Sequence, residues 1–256
     1  MGSVEIEQRD DGCLTLTFNN PRVRNALSLA MLVEIQRTLA AAAQDPKCRL
    51  VVFRGFGADF CAGRDISDVG DIEALSDDDL RRDLQPVKQT VLAIHDFPKP
   101  VMSAVTGYAL GLGASIVALS DIAIADAGAR FGYPEVKIGI PPSLTTISLL
   151  ATVPPKAALP LLFGAAMINA REAQSIHLIT KACDPDTVAA TTEDWIDRLS
   201  KASPSAVAMC KRLVRTSAGL DFASKLDLAV ETAVAGFRTE DATAGRRAFL
   251  KKERRS

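Results

Sequence analysis

Two stretches bring small residues to the end of an apolar run. In VVFRGFGADFCAGRD the run ends and Ala62-Gly63 precede Arg64. In VMSAVTGYALGLGAS a second run ends and Gly111-Leu112-Gly113 open a helical pattern. Small residues clear the backbone, so that its N–H groups can face a ligand atom, and a helix start adds partial positive charge. Two such groups converging on one point make an oxyanion hole. Either loop alone is better read as a plain turn or tight packing, because a lone glycine motif is a weak signal. FGYPE ends on Glu135, directly after Pro134. In an apolar pocket this glutamate would have a raised pKa and could both take and give a proton. At a helix start it could also be a carboxylate favoured by the dipole. GLGASI lacks the third glycine of a dinucleotide fingerprint, and no acidic residue in a strand context follows at the required distance, which excludes that reading. The five cysteines, Cys13, Cys48, Cys61, Cys183 and Cys210, are scattered without a CxxC pair. Neither a disulfide framework nor a zinc site is expected, and no metal of any kind.

These loops need elements to hold them. CLTLTF (Cys13–Phe18) alternates like a strand, and Ser28 is placed to cap a helix through LAMLVEIQRTLAAAAQ. RLVVFRG and PVMSAVTG predict buried strands; SDIAIAD and ARFGYPE predict two shorter ones. The acidic SDDDLRRDLQ leads into a helix that ends near AIHDFPKP. From about Ser143 the chain is predicted helical, apart from a short strand near LITKAC. Strand–helix units followed by a helical tail predict an α/β core of layered short sheets. SPS at Ser203–Ser205 marks the expected division. Residues 1–202 form the core; 203–256 are too few to hold a core alone and must pack on it or on a neighbouring subunit.

Composition removes several function classes. The chain has 256 residues, 48% hydrophobic and 24% charged, with net charge −1, so no bulk field recruits nucleic acid or an anionic membrane. The KKERR tail is short and has no aromatic stacking platform nearby, which argues against nucleic acid as a partner. No apolar run reaches the length of a membrane span. MGSVEIEQRDDG carries charges and no apolar core, so no signal peptide and a cytoplasmic location are expected.

FCAGRDI, GYALGLGASIVALSDIAIAD, FGYPEVKIGI and the terminal AFLKKE occur in the order and spacing of the enoyl-CoA hydratase/isomerase (crotonase) family. NPRVRNALS and NAREAQSIHLITKAC are similar too, so the chain resembles the family over nearly its whole length. The resemblance implies a spiral of ββα turns with trailing helices that build trimers, often paired into hexamers. It implies acyl-CoA thioester substrates, with coenzyme A part of the substrate and no separate cofactor. The N–H groups of Arg64 and Leu112 would hold the thioester oxygen beside Gly111, and Glu135 would be the catalytic glutamate. Ala62, Asp65 and Ile66 would present backbone to the adenine, and Arg22 or Arg24 would meet the phosphates. Phe249 and Lys252 would close the site from an adjacent subunit.

The chain departs from the family pattern at Ser115, where well-studied hydratases carry a second glutamate. A serine hydroxyl can hydrogen-bond a water but is a poor base, and Ser115 is expected to be a small filler on a buried helix rather than a catalytic group. Hydration commonly uses both carboxylates. One suffices to move a double bond, taking a proton from C4 and returning one to C2. The expected activity is therefore enoyl-CoA isomerisation through a thioester enolate. The alternatives are a hydratase with a replaced second acid and a non-catalytic acyl-CoA binder. Ser143 stands where dienoyl-CoA isomerases place an aspartate, so that subtype is not expected. Asp65 and Asp121 are expected to cap or pair, Asp68 to lie in a solvated loop, and His95 and His177 to pack or lie on the surface. Tyr108 and Tyr133 are expected to line the pocket. The Arg64 side chain is expected to pair with a nearby acid rather than with a carboxylated acyl group.

Overall fold

The computed structural model describes residues 2–68 and 72–253, except for the side chains of Asp68, Ile72, Phe249, Lys251, Lys252 and Glu253. The chain opens with β1 (Ser3–Gln8), β2 (Cys13–Asn19), α1 (Leu29–Gln44), β3 (Leu50–Gly55) and α2 (Asp77–His95). It continues through β4 (Val101–Val105), β5 (Tyr108–Leu110), α3 (Leu112–Leu119), β6 (Ile122–Asp126) and β7 (Arg130–Gly132). Then follow α4 (Ser143–Leu150), α5 (Pro155–Phe163), β8 (Ile168–Asn169), α6 (Ala170–Ser175), β9 (Lys181–Cys183) and α7 (Val188–Lys201). The last helices are α8 (Pro204–Thr216), α9 (Phe222–Phe237) and α10 (Glu240–Glu253).

One sheet has the order β1-β2-β3-β4-β6-β9, and a smaller one has the order β5-β7-β8. In the larger sheet β1 pairs antiparallel with β2, and every later pairing is parallel. From β4 to β7 successive strands alternate between the two sheets, β8 stays in the smaller one beside β7, and β9 returns to the larger, so the chain advances as a spiral. Parallel strands covered on both faces must be apolar throughout, and β2 is buried from Cys13 to Phe18.

The elements follow from local chemistry. Ser28 caps α1, its hydroxyl accepting the Met31 N–H at 3.3 Å, and Met31, Leu32, Ile35 and Leu39 form the buried stripe. Each such side chain contributes about 1.5–3 kcal/mol of burial. Phe18 stacks on Phe53 at 5.7 Å between ring centroids and meets Phe60 edge-on at 5.6 Å. Ser76 caps α2 in a reciprocal box with Asp79, and three aspartates occupy the first turn, where the dipole favours them. All eight residues of α3, Leu112–Leu119, are buried, so the glycine motif leads into the centre of the molecule.

Three strands escape the sequence reading. β1 is an edge strand with only Val4 partly buried, so its alternation is masked by charge. β5 is three residues long inside the glycine-rich loop, and β8 is a pair of residues in the region expected to be helical. Each is set by its neighbour in the sheet rather than by a run of its own.

The tail packs lightly on this core. Neither α8 nor α9 contains a buried residue, and Val214, Phe222, Val230 and Phe237 are all more than half exposed. Lys211 ties α8 to the large sheet, donating to Asp121 at 2.5 Å and to the Lys99 carbonyl at 2.7 Å. Burial pulls the Lys211 ammonium down to about 8, against the attraction of Asp121. Asp121 also accepts the Val101 N–H at 2.8 Å, so it is a pairing group. Ser203 and Ser205, at the expected division, both donate to Asp241 of α10, at 2.7 and 2.8 Å.

Candidate functional site

The two small-residue loops are held against each other. The Leu110 N–H donates to the Cys61 carbonyl and the Cys61 N–H to the Tyr108 carbonyl, each at 2.9 Å. A Cβ built on Gly63 would meet the Leu110 carbonyl oxygen at 3.0 Å and the Leu112 nitrogen at 3.4 Å, so the residue before Arg64 lies against the start of α3. Neither the Arg64 nor the Leu112 N–H has a backbone acceptor among the described residues. In the parallel bridge of Arg64 with Leu27, the flanking groups make the bonds: Leu27 N–H to the Gly63 carbonyl at 2.7 Å, and Asp65 N–H to the Leu27 carbonyl at 2.9 Å. Leu112 is the first residue of α3, where N–H groups have no acceptor within the helix. The first helical bond comes from Ser115, to the Gly111 carbonyl at 3.0 Å.

Glu135 reaches this point from the short 3₁₀ helix Pro134–Ile138. Its carboxylate touches the glycine loop: a Cβ on Gly111 would lie 2.8 Å from Glu135 Oε1. Gly111 has φ +50° and ψ −117°, a conformation that L side chains avoid. Burial is the main cause holding the Glu135 carboxyl above the ordinary carboxylate range; its own backbone N–H and the Thr145 hydroxyl act the other way. The Thr145 hydroxyl is 3.5 Å from Oε1 and is better placed on the Pro142 carbonyl at 3.0 Å, so its hold on the carboxylate is weak.

Among the described residues, six buried side-chain polar atoms lack a hydrogen-bond partner, and five belong to Arg64, Ser115, Tyr133 and Glu135. Buried polar groups are nearly always paired, and an orphan costs about 1–3 kcal/mol. Five around one pair of loops mark a place built to meet something outside the chain. Tyr133 is fully buried. Burial first, then the nearby Glu135 charge, push its phenol well above the ordinary range, with the Ser115 hydroxyl acting the other way. Tyr133 therefore stays a neutral donor. Cys61 is also buried here, and its thiol is pushed up to about 12 by burial, which excludes it as a thiolate nucleophile.

Gly111→Ala is expected to lower turnover about 100-fold with only modest loss of stability. The methyl would displace the carboxylate and force φ out of the left-handed region, and misplacing one catalytic group by about 1 Å costs on that order. Steady-state kinetics beside a thermal melt would check it. Near wild-type turnover would mean that Glu135 does not act from this position.

The remaining expected site residues are placed as follows. Ala62 and Asp65 spend their N–H groups on the Arg24 and Leu27 carbonyls, so any backbone they offer a ligand is on the carbonyl side. Asp65 accepts from the Ser67 backbone N–H and hydroxyl, a local cap, and Ile66 is 59% exposed. Arg24 lies over the Tyr108 ring at 4.8 Å, with Asp59 at 3.9 Å, and Arg22 is exposed nearby in sequence. Tyr108 is thus a platform for Arg24. His95 bonds Asp96 at the surface, and Ser143 is exposed at the start of α4. The side chains of Asp68, Phe249 and Lys252 lie outside the described residues. Sequence reasoning missed Thr145 and Asp83. Asp83, in α2, accepts from Arg64 Nη2 at 3.1 Å.

The sequence model of the enoyl-CoA hydratase/isomerase family matches residues 8–256. The chain belongs to the enoyl-CoA hydratase/isomerase family. It is 31% identical to crotonyl-CoA hydratase of Syntrophomonas wolfei over 252 residues, 97% of this chain and 95% of the relative. It is 30% identical to 2,3-dehydroadipyl-CoA hydratase of Escherichia coli over 249 residues, 96% and 95% of the two chains. The crystal structure of an enoyl-CoA hydratase of Mycobacterium smegmatis superposes with a TM-score of 0.91 at 29% identity, covering 97% of this chain and 96% of that one. The spiral of alternating sheets is therefore the crotonase fold, and the chain is an acyl-CoA enzyme of the enoyl-CoA hydratase/isomerase family. These relatives are named hydratases, whereas the sequence reading preferred isomerisation.

Proposed function

We propose that the protein shifts the double bond of an enoyl-CoA ester through an enolate. The Arg64 and Leu112 N–H groups hold the thioester oxygen, and Glu135 carries the proton. The single observation that supports this most is the half-buried Glu135 carboxylate, set against Gly111 with its buried Oε2 unpartnered, near the Arg64 and Leu112 amides, for which no backbone acceptor is found among the described residues. As the C4 proton leaves for Glu135, charge develops on the thioester oxygen; two donors aimed there lower the barrier, each by about 3–4 kcal/mol. The same carboxyl then delivers a proton to C2. A carboxyl with a raised pKa suits both steps, because it is neither too weak a base nor too weak an acid near neutral pH. No cofactor besides the CoA ester is called on. Arg22, Arg24, Ala62, Asp65 and Ile66 would receive the CoA moiety. The exposed apolar side chains of α8 and α9 support residues 203–256 as the surface that joins copies into a trimer or hexamer, with Phe249 and Lys252 reaching a neighbouring site.

A second reading, hydration, is favoured by the names of the relatives and by the neighbouring buried Ser115 and Tyr133 hydroxyls, which could hold a water beside Glu135. Product mass separates the two. The protein is offered a 2-enoyl-CoA and a 3-enoyl-CoA separately. Conversion of the 3-enoyl ester without mass change is the expected result. Rapid gain of one water on the 2-enoyl ester would replace isomerisation with hydration. Binding without turnover of either ester would make the protein an acyl-CoA binder.

A further inference from the structure

We propose that the acyl group this site takes carries a carboxylate, received by the Arg64 guanidinium; this rests on the acyl-CoA reading above. The Arg64 side chain is 13% exposed, and only Nη2 has a partner, Asp83. Nε and Nη1 are buried without one. An arginine kept only as a strut to α2 would turn these donors to solvent or to carbonyls; here a buried cation keeps two of its nitrogens unanswered. The position is specific. The Arg64 N–H is the proposed donor to the thioester oxygen, so its guanidinium lies within one side-chain length of the reacting carbons. By reaching Asp83 it runs to α2, which packs on α3 and α4, the helices that carry Ser115 and Thr145. The guanidinium therefore belongs to the wall beside the acyl chain rather than to the CoA rim, where Arg24 lies. A carboxylate has acceptor oxygens for both orphaned donors and the charge that a buried cation favours. Asp83 is 25% exposed, so solvent screens part of its competition for the cation.

The test uses saturated esters, which cannot turn over. Glutaryl-CoA and hexanoyl-CoA share the CoA moiety, so their ratio of dissociation constants isolates the acyl end. Isothermal titration should give wild type an about 10- to 100-fold preference for glutaryl-CoA, the worth of a charge-assisted hydrogen bond in a buried site. Arg64→Met keeps the backbone N–H and should bring the ratio close to one, while Arg64→Lys retains part of it. If wild type binds hexanoyl-CoA as well as or better than glutaryl-CoA, the proposal is overturned and the acyl-CoA reading stands. That arm needs no variant, so a misfolded Arg64→Met cannot blunt it. A preference that survives in folded Arg64→Met would also overturn it, by placing the carboxylate elsewhere. If neither ester binds, both readings fall together.

Discussion

Glu135→Gln is expected to lower turnover about 10²–10⁴-fold, the usual worth of a positioned general acid–base, and to raise thermal stability at neutral and alkaline pH. Both effects have one cause. Burial holds the carboxyl above the ordinary range, so between its unfolded and folded pKa values the native state binds more protons than the unfolded chain. Stability contributed by the protonated group is complete below the unfolded value and is lost as pH rises through the folded one. Glutamine cannot ionise and carries no such loss. The melting temperature of the variant minus that of wild type should therefore be near zero in acid and grow as pH rises through the window. Over the same window wild-type kcat/KM should rise, because the C4 proton needs the carboxylate as its base. Melts and initial rates in one set of buffers check both. A flat difference in melting temperature would mean that the carboxyl is solvated in the native protein. Retained turnover would remove Glu135 from the chemistry.

Much of this site can be read in the sequence because local rules fix it. Ser28 begins α1 where a serine precedes an apolar stripe, and the glycine motif announces both the start of α3 and its approach to another backbone. Ser115 differs from the expected second acid within a motif that is otherwise in register, so its place on the buried helix could be foreseen from one residue. What could not be foreseen depends on pairs that only the tertiary fold makes. Thr145 meets Glu135 from the next helix, ten residues on, and Asp83 meets Arg64 across nineteen; neither residue type carries a signal for its partner. Asp83 sits in an acidic run whose three other carboxylates, Asp77, Asp78 and Asp79, pair with Arg81 and Arg82 on the outer side of the helix. β1 was hidden for the opposite reason: an edge strand needs little apolar character when its partner β2 supplies the buried face.

Gly113→Ala is expected to destabilise the fold by about 2–4 kcal/mol, the range for overpacking against atoms that cannot yield, and to lower turnover further than instability explains. Gly113 lies within α3 and has no left-handed φ, so backbone conformation is not the obstacle. On helix propensity alone, alanine would gain about 1 kcal/mol over glycine, and the unfolded chain would lose entropy in the same direction. Contact decides the sign. The new Cβ would lie 2.3 Å from the Cys61 carbonyl oxygen and 3.0 Å from its carbon, both backbone atoms. That carbonyl accepts the Leu110 N–H, one of the bonds that hold the two loops together. Relief of the clash must push the Ala62-Gly63-Arg64 loop away from α3, which separates the two amides proposed to share one oxygen. Losing one such donor costs about 3–4 kcal/mol of barrier, or roughly 10²–10³-fold in rate. Denaturant unfolding and kinetics, both at a temperature where the variant remains folded, separate the two losses. If Gly113→Ala unfolds at or above the wild-type midpoint with full activity, the loops are not rigidly stacked and the oxygen must be held from one side only. If stability falls while turnover per folded molecule is kept, the amides do not act as a pair, and Glu135 would be left to carry the reaction with other help.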